Sequence, residues 1–143
     1  MSALELSIEA LVDNLPQVMQ FTEECLETAG CPIRAQMQIS LAVEEIFVNI
    51  ASYAYASEGK KGQAVIRVET AGDPERIEIT FMDWGVPYNP LEKEDPDVSA
   101  SSKERKIGGL GIFLTKKSMD DVSYEYRDSM NILKLTKWLG SAS

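Results

Sequence analysis

The sequence predicts an α+β fold of two layers, in which about three helices cover one face of a mixed, mostly antiparallel sheet. In several short segments apolar residues alternate with polar ones, which is the period of a strand buried on one face. Two longer segments instead carry apolar residues at helical spacing. The predicted order is strand, two helices, two strands, a loop, one helix and two strands. Elements grouped in this way pack as a single sheet with its helices on one face.

The N-terminal part begins with a short strand, because Leu4, Leu6 and Ile8 alternate with polar residues. A helix is predicted over residues 13–29, where a glycine and a proline then follow as helix stops. A longer helix is predicted over residues 34–57. Its apolar face consists of Ile39, Val43, Ile46, Ile50 and Ala54.

The C-terminal part is predicted to supply most of the sheet. Two strands, residues 65–68 and 77–81, lie on either side of a turn at residues 72–74. Residues 83–106 form a long irregular loop, and such a loop in a compact domain is usually either functional or disordered. A helix over residues 112–119 and a closing hairpin of residues 122–126 and 132–138 complete the fold.

The composition of the chain excludes or disfavours several classes of function. The length of 143 residues predicts one domain spanning residues 1–143. The net charge of −9 argues against direct binding of nucleic acid, which depends on basic residues. The chain has no histidine and only two cysteines, so histidine catalysis and a phosphohistidine relay are excluded and a zinc site is disfavoured. No apolar run approaches membrane length and no signal peptide is present, so we expect a cytoplasmic protein without a membrane partner.

A glycine cluster, Gly108-Gly109-Leu110-Gly111, opens the third predicted helix. Glycine lets the backbone approach a ligand closely, and the first turn of a helix offers unpaired N–H groups to an anion. Neither the spacing of a Walker loop nor that of a dinucleotide fingerprint fits this cluster. A glycine-rich helix start without a ligand therefore remains an alternative to a phosphate site.

Two polar side chains on the second predicted helix, Glu45 and Asn49, are four residues apart and share one stripe beside the apolar face. A carboxylate can accept a proton from a hydroxyl, and an amide oxygen is a hard ligand suited to Mg²⁺. The adjacent pair Glu44 and Glu45 also fits a solvated helix face.

The segment Asp83-Trp84-Gly85 directly follows a predicted strand. A carboxylate there can accept a hydrogen bond from an exocyclic amine such as the N6 group of adenine, and Gly85 lets the backbone turn beneath the ring. An ordinary Asp-x-Gly turn is the alternative.

With these motifs the chain resembles the GHKL ATPases and, within them, the small anti-sigma-factor serine kinases. The N box of that superfamily is similar to residues 45–49, the first glycine box to residues 83–90 and the second to residues 108–114. The motifs occur in the family's order, and the resemblance covers nearly the whole chain. Three positions depart from the usual pattern: Tyr53 replaces a histidine, Val86-Pro87 replaces a second glycine, and Met130-Asn131-Ile132 replaces a Gly-Thr pair.

The resemblance implies an ATP-binding sandwich, the Bergerat fold, with a lid at roughly residues 86–107. It implies that Glu45 is the general base that activates a serine hydroxyl, that Asn49 holds Mg²⁺ and that Asp83 reads adenine. The acidic chain would repel the phosphates of ATP at long range, so its net charge also favours a cation such as Mg²⁺ that screens them. The implied nucleotide-binding residues are Asn49, Asp83, Gly85, Arg105, Lys106, Gly108, Gly109, Leu110, Gly111 and Ile112.

The implied function is a protein serine kinase in a partner-switching circuit. It would phosphorylate an anti-sigma-factor antagonist, a STAS-domain protein, and sequester a sigma factor. The alternative is a nucleotide-binding module that captures or activates a partner stoichiometrically, without kinase activity. A homodimer is also possible within this family.

Overall fold

The computed structural model describes residues 2–55, 62–72, 75–92 and 109–139. They form one five-stranded sheet in the order β1-β2-β3-β5-β4, in which every neighbouring pair of described strands is antiparallel. The predicted mixed sheet therefore has no parallel pair in these ranges. The strands are β1 (Ser2–Glu9), β2 (Gln63–Ala71), β3 (Arg76–Asp83), β4 (Asp121–Arg127) and β5 (Met130–Trp138).

Three α-helices accompany the sheet, as the sequence predicts: α1 (Leu15–Thr28), α2 (Ile33–Asn49) and α3 (Gly109–Ser118). A short 3₁₀ turn precedes α1. Helix α1 ends just before Gly30, whose positive φ of 71° turns the chain out of the helix. Helix α2 packs between α1 and α3. It continues as a π-helix over Ile50–Ala54, in place of the regular helix that was predicted as far as residue 57.

The core lies between α2 and the inner face of the sheet. Strand β3 shows why, because its side chains alternate and Ile77, Ile79 and Phe81 are buried on one face. The α2 residues Ile39, Val43, Ile46 and Phe47 are buried against that face, together with Ile66, Leu133 and Leu135 from the neighbouring strands. Burying each such aliphatic or aromatic side chain stabilises the folded state by about 1.5–3 kcal/mol relative to leaving it exposed.

The β4–β5 hairpin turns through Asp128 and Ser129, which both have positive φ, 55° and 65°. Two successive residues of this conformation match the right-handed twist of the strands that they join. On its other edge β5 pairs with β3, and there Asn131 lies opposite Asp83.

The sequence predicts the elements correctly, and most of them are longer in the structure than in the prediction. Of the long loop predicted over residues 83–106, residues 84–92 are described and include a short 3₁₀ turn, Pro90–Glu92. The rest of that loop, a turn that the sequence predicts over residues 58–62 except for Gly62, and residues 73–74 of the turn predicted at 72–74 lie outside the described residues. Within the described ranges, no helix has the length and hydropathy that crossing a bilayer requires.

Candidate functional site

A buried carboxylate, Asp83, stands at the end of β3 and is only 4% exposed. It has the same inward orientation as Phe81, two residues earlier. Its Oδ1 accepts hydrogen bonds from the backbone N–H of Gly85 and from Nδ2 of Asn131, both at 2.9 Å. No other hydrogen bond to this carboxylate occurs among the described residues, so Oδ2 is available to accept one from a ligand.

Burial and two hydrogen-bond donors act on the pKa of Asp83 in opposite directions. Burial raises the pKa of Asp83 above its usual value, and the hydrogen bonds from Asn131 and Gly85 act in the opposite direction. These two donors thus favour the ionised, accepting form of the carboxylate.

The amide of Asn131 holds this corner of the sheet together. In addition to the bond to Asp83, its Nδ2 donates to the carbonyl of Val86 at 2.9 Å. Its Oδ1 accepts the backbone N–H of Tyr88 at 3.1 Å and the hydroxyl of Tyr124. Two donors and two acceptors are the full capacity of an asparagine amide. The segment that follows Gly85 is therefore fixed to β5 by Asn131 and to β4 by Tyr124, whose hydroxyl oxygen also accepts the Tyr88 N–H at 3.2 Å.

The same segment also contacts the end of α2. Val86 donates its N–H to the carbonyl of Ala54 at 2.9 Å. A Cβ atom at Gly85 would lie within 3.0 Å of the Ala54 carbonyl, so only glycine permits this approach. Ala54 is the last residue of the π-helix, and such widened turns frequently occur at functional sites.

A cavity of about 30 Å³ opens beside Asp83. That volume holds about two water molecules, so a purine ring requires the walls to part. Tyr88 and Pro90 are the lining residues that belong neither to the sheet nor to α2 and its π-helical end, and Tyr53 packs on Tyr88 with ring centroids 5.6 Å apart. The cavity is lined by Ile46, Asn49, Ile50, Ala54, Phe81, Asp83, Tyr88, Pro90, Tyr124, Asn131 and Leu133.

Glu45 and Asn49 form a hydrogen-bonded pair, as their spacing predicts. Nδ2 of the buried Asn49 donates to the Glu45 carbonyl and to Glu45 Oε2, both at 2.8 Å. Its Oδ1 accepts no hydrogen bond within the described parts of the chain. The amide is therefore oriented with its oxygen available to a ligand.

The Glu45 carboxyl group lies directly against the first turn of α3. A Cβ atom at Gly111 would lie within 3.0 Å of Glu45 Oε1 and Cδ. Helix α3 begins at Gly109, so its first N–H groups have no partner within the helix. The Glu45 carboxylate thus contacts both the Asn49 amide and the start of α3, and it lines a groove of about 470 Å³ between α2 and α3.

The predicted site residues are distributed as follows. Glu45, Asn49, Asp83, Gly85 and Gly111 lie around the cavity and the groove. Ile112 is buried in the core, so only its backbone can face a ligand, and Gly109 and Leu110 form the described start of α3. Arg105, Lys106 and Gly108 lie outside the described residues.

The sequence did not identify Asn131, Tyr88 or Tyr124 as site residues. A signal for Asn131 was present, because it occupies an inward position of β5 that alternates with Leu133 and Leu135. A polar side chain at such a position needs a partner inside the protein.

These features are typical of a nucleotide-binding α+β domain: a buried carboxylate in a cavity, and a helix start beside a carboxylate–amide pair. The chain belongs to the histidine kinase-like ATPase domain family, whose profile matches residues 8–137.

Its relatives include serine-protein kinases. It is 28% identical over 115 residues to the serine-protein kinase RsbW of Listeria monocytogenes, covering 78% of this chain and 71% of the relative. It is 27% identical over 103 residues to the serine/threonine-protein kinase BtrW of Bordetella bronchiseptica, covering 72% and 70%. RsbW of Halalkalibacterium halodurans is 33% identical over 105 residues, covering 71% and 61%.

Solved structures share the fold. The RsbU and RsbW domains of Rv1364c from Mycobacterium tuberculosis superpose with a TM-score of 0.66 at 16% identity, covering 96% of this chain and 32% of that longer chain. A chain of the SiaB–SiaC complex from Pseudomonas aeruginosa gives a TM-score of 0.57 at 13% identity, covering 92% and 88%.

Proposed function

We propose that this chain is a protein serine kinase that uses ATP to phosphorylate an anti-sigma-factor antagonist, a STAS-domain protein, in a cytoplasmic partner-switching circuit. It also sequesters a sigma factor. The serine-protein kinases among its relatives support this function. The observation that carries the proposal is the position of Glu45, whose carboxylate lies in an open groove between a metal-suited amide and the start of α3.

In this proposal ATP binds with its base beside Asp83 and its phosphates at the start of α3. Oδ2 of Asp83 accepts a hydrogen bond from the N6 amine. The N–H groups of residues 109–112 contact the phosphates, and residues 86–107 act as the lid, with Arg105, Lys106 and Gly108 adding contacts at its end. The whole of residues 1–143 works as one domain.

Asn49 suits Mg²⁺, since its Oδ1 is a hard oxygen ligand that accepts no hydrogen bond in the described structure. Groups of three or more histidine, cysteine, aspartate or glutamate side chains that could hold a metal are absent from the described ranges. Mg²⁺ in such sites usually keeps several waters and takes few protein ligands beside the substrate phosphates, and protein kinases use an asparagine as one of them. The ion would screen phosphate charge, which the acidic chain does not do by itself.

Glu45 supplies the base. The serine oxygen of the partner attacks the γ-phosphorus of ATP, the bond to the bridging oxygen of ADP breaks, and the serine proton passes to the Glu45 carboxylate. The Asn49 amide holds one oxygen of that carboxylate, Oε2, and so orients the group. Phosphoryl transfer depends chiefly on such positioning and on electrostatic stabilisation.

Replacing Glu45 with glutamine is expected to lower phosphoserine formation by about 10²- to 10⁴-fold, which is the usual contribution of a positioned base. Glutamine retains an acceptor for Asn49 but cannot take the proton at neutral pH. The measurement is transfer of radiolabelled phosphate from Mg-ATP to a STAS-domain protein of the same genome, with mant-ATP affinity as a second readout.

The matched control is Glu23→Gln, which neutralises an exposed carboxylate on α1 and should leave both readouts unchanged. Unimpaired transfer by the Glu45 variant would show that another group acts as the base. Stable capture of the partner without phosphoserine, even by the wild-type chain, would instead indicate a binding module.

Nucleotide affinity is expected to fall on acidification through the raised pKa of Asp83, because only the ionised carboxylate accepts an N–H on Oδ2. Asn131→Ala removes a donor that lowers this pKa, so affinity should begin to fall at a higher pH than in the wild type. Titrations with mant-ADP between about pH 4 and pH 8 test this shift.

The control for this titration is Asp83→Asn, which has no carboxyl group to titrate at this position. It should bind more weakly, by about 30-fold for one lost hydrogen bond to a charged group, and without the corresponding pH step. An identical midpoint in the wild type and in Asn131→Ala would contradict the role given to Asn131.

A further inference from the structure

An exposed apolar stripe runs along α2 and leads to the proposed base. Ile33, Met37 and Leu41 follow one another at intervals of four residues, and the next residue at this interval is Glu45. Residues four apart form one ridge on a helix surface. Met37 is 63% exposed and Leu41 is 68% exposed, although both belong to a strongly acidic chain. A contiguous exposed apolar surface of this kind commonly marks an interaction site.

The stripe borders the groove between α2 and α3. Leu41 lines the α2 side and Leu114, which is 53% exposed, lines the α3 side. Glu45 and Gly111 lie in the same groove. The volume of about 470 Å³ is ample for a few side chains of an inserted segment.

The groove and the cavity at Asp83 share no lining residue. Asn49 lines the cavity and its hydrogen-bonded neighbour Glu45 lines the groove, so the two openings reach the pair from different sides. A nucleotide with its base beside Asp83 and its phosphates at the start of α3 meets the groove at Gly111, and the walls formed by Leu41, Glu44 and Leu114 are left to a second reactant.

Charges on the two walls further define the occupant. Glu44 is exposed on the α2 wall and forms no ion pair with any described residue. On the opposite wall the ammonium group of Lys117 lies over the Phe113 ring, 5.5 Å from its centroid. The wall nearest the proposed base thus presents an unpaired negative charge, which complements a basic residue.

We propose that this groove docks the serine-bearing segment of the phosphorylated partner, with an apolar side chain next to the serine packed between Leu41 and Leu114 and a lysine or arginine facing Glu44. This docking site rests on the proposed kinase function. The serine hydroxyl must come within about 2.6–3.2 Å of the Glu45 carboxylate to pass on its proton. The groove is the described opening that leads to Glu45, and its apolar walls supply the contact that holds the segment there.

The test compares Leu41→Ala with Leu4→Ala. Both changes truncate an exposed leucine, but Leu4, which is 55% exposed, lies on β1 and does not line the groove. The probe is the STAS-domain protein that the wild-type chain phosphorylates. Leu41→Ala is expected to raise the KM for this protein at least 10-fold, with kcat within about 3-fold and mant-ATP affinity unchanged, because a docking contact is lost and no reacting group is moved. Leu4→Ala should match the wild type.

A second variant, Glu44→Gln, should raise the same KM several-fold at low salt and by less at high salt, as an electrostatic contact requires. Unchanged KM values in Leu41→Ala and Glu44→Gln, with transfer intact, would overturn the docking site alone. So would a sedimentation experiment in which Leu41→Ala dissociates a dimer of this chain while the KM stays constant, since a second copy would then cover the stripe. Failure of the wild-type chain to form phosphoserine on any STAS-domain protein would overturn the proposed function and the docking site with it.

Discussion

Replacing Gly111 with alanine is expected to lower phosphoryl transfer about 100-fold while leaving the protein as stable as the wild type or more stable. The added Cβ would lie within 3.0 Å of Glu45 Oε1, Cδ and Cγ. Because the end of a glutamate side chain is flexible, the carboxylate should move aside and the backbone should stay in place. Alanine is also a better helix former than glycine by about 0.5–1 kcal/mol, which favours α3. Transfer assays and thermal unfolding of the same preparation measure both effects.

A double variant shows whether the loss acts through Glu45. If Gly111→Ala acts only by displacing the carboxylate, adding it to Glu45→Gln should cost no further activity, since coupled residues are not additive. A further 100-fold loss in the double variant would mean that alanine disturbs phosphate binding at the start of α3 independently. Wild-type activity in Gly111→Ala would contradict the geometry of the site.

Replacing Gly85 with alanine should destabilise the protein by about 3 kcal/mol. A Cβ at this position would meet the Ala54 carbonyl and Cβ within 3.0 Å, and a carbonyl cannot swing away as a flexible side chain can. Overpacking costs about 1–3 kcal/mol, and the hydrogen bond from Val86 to Ala54, worth about 1 kcal/mol, would be lost with it. At about 2–4 °C per kcal/mol, Tm should fall by about 10 °C.

The matched control for this change is Gly72→Ala, because a Cβ at Gly72 would meet nothing within 4 Å. That variant should stay within about 0.5 kcal/mol of the wild type in urea and thermal unfolding. A Gly85→Ala protein that unfolds at the wild-type temperature would mean that the π-helix and the segment after Asp83 separate without cost.

Local patterns were sufficient to predict the helices and strands and the orientation of some candidate site residues. Asp83 could be predicted to face inward because it continues the alternation of Ile77, Ile79 and Phe81. Glu45 and Asn49 could be predicted to meet because four residues make about one helical turn, and their side chains are indeed hydrogen-bonded. Both inferences need only the geometry of one element.

Contacts between distant parts of the chain could not be predicted in this way. Asn131 reaches Asp83 across 48 residues, and this meeting depends on the register of β5 against β3. That register joins two strands that are far apart in the chain, and no local pattern in either strand fixes it. The sequence therefore marks Asn131 as unusual without naming its partner.

Local patterns also could not predict the π-helical end of α2. Ile50 and Ala54 fit the apolar face of a regular helix, and the sequence accordingly predicts one. The structure widens the last turn at Ile50–Ala54, where the Ala54 carbonyl receives the N–H of Val86. This bond joins two elements, so nothing within either element alone indicates it.

The saturated amide of Asn131 also limits which residues evolution or a designer can place there. Aspartate would set a second carboxylate against Asp83, threonine brings a single donor, and leucine would leave the Val86 carbonyl without this donor and the Tyr88 N–H with Tyr124 as its remaining acceptor. Substitutions at position 131 should therefore be tolerated only together with compensating changes at the neighbours that it joins, so that this corner of the protein varies as a group.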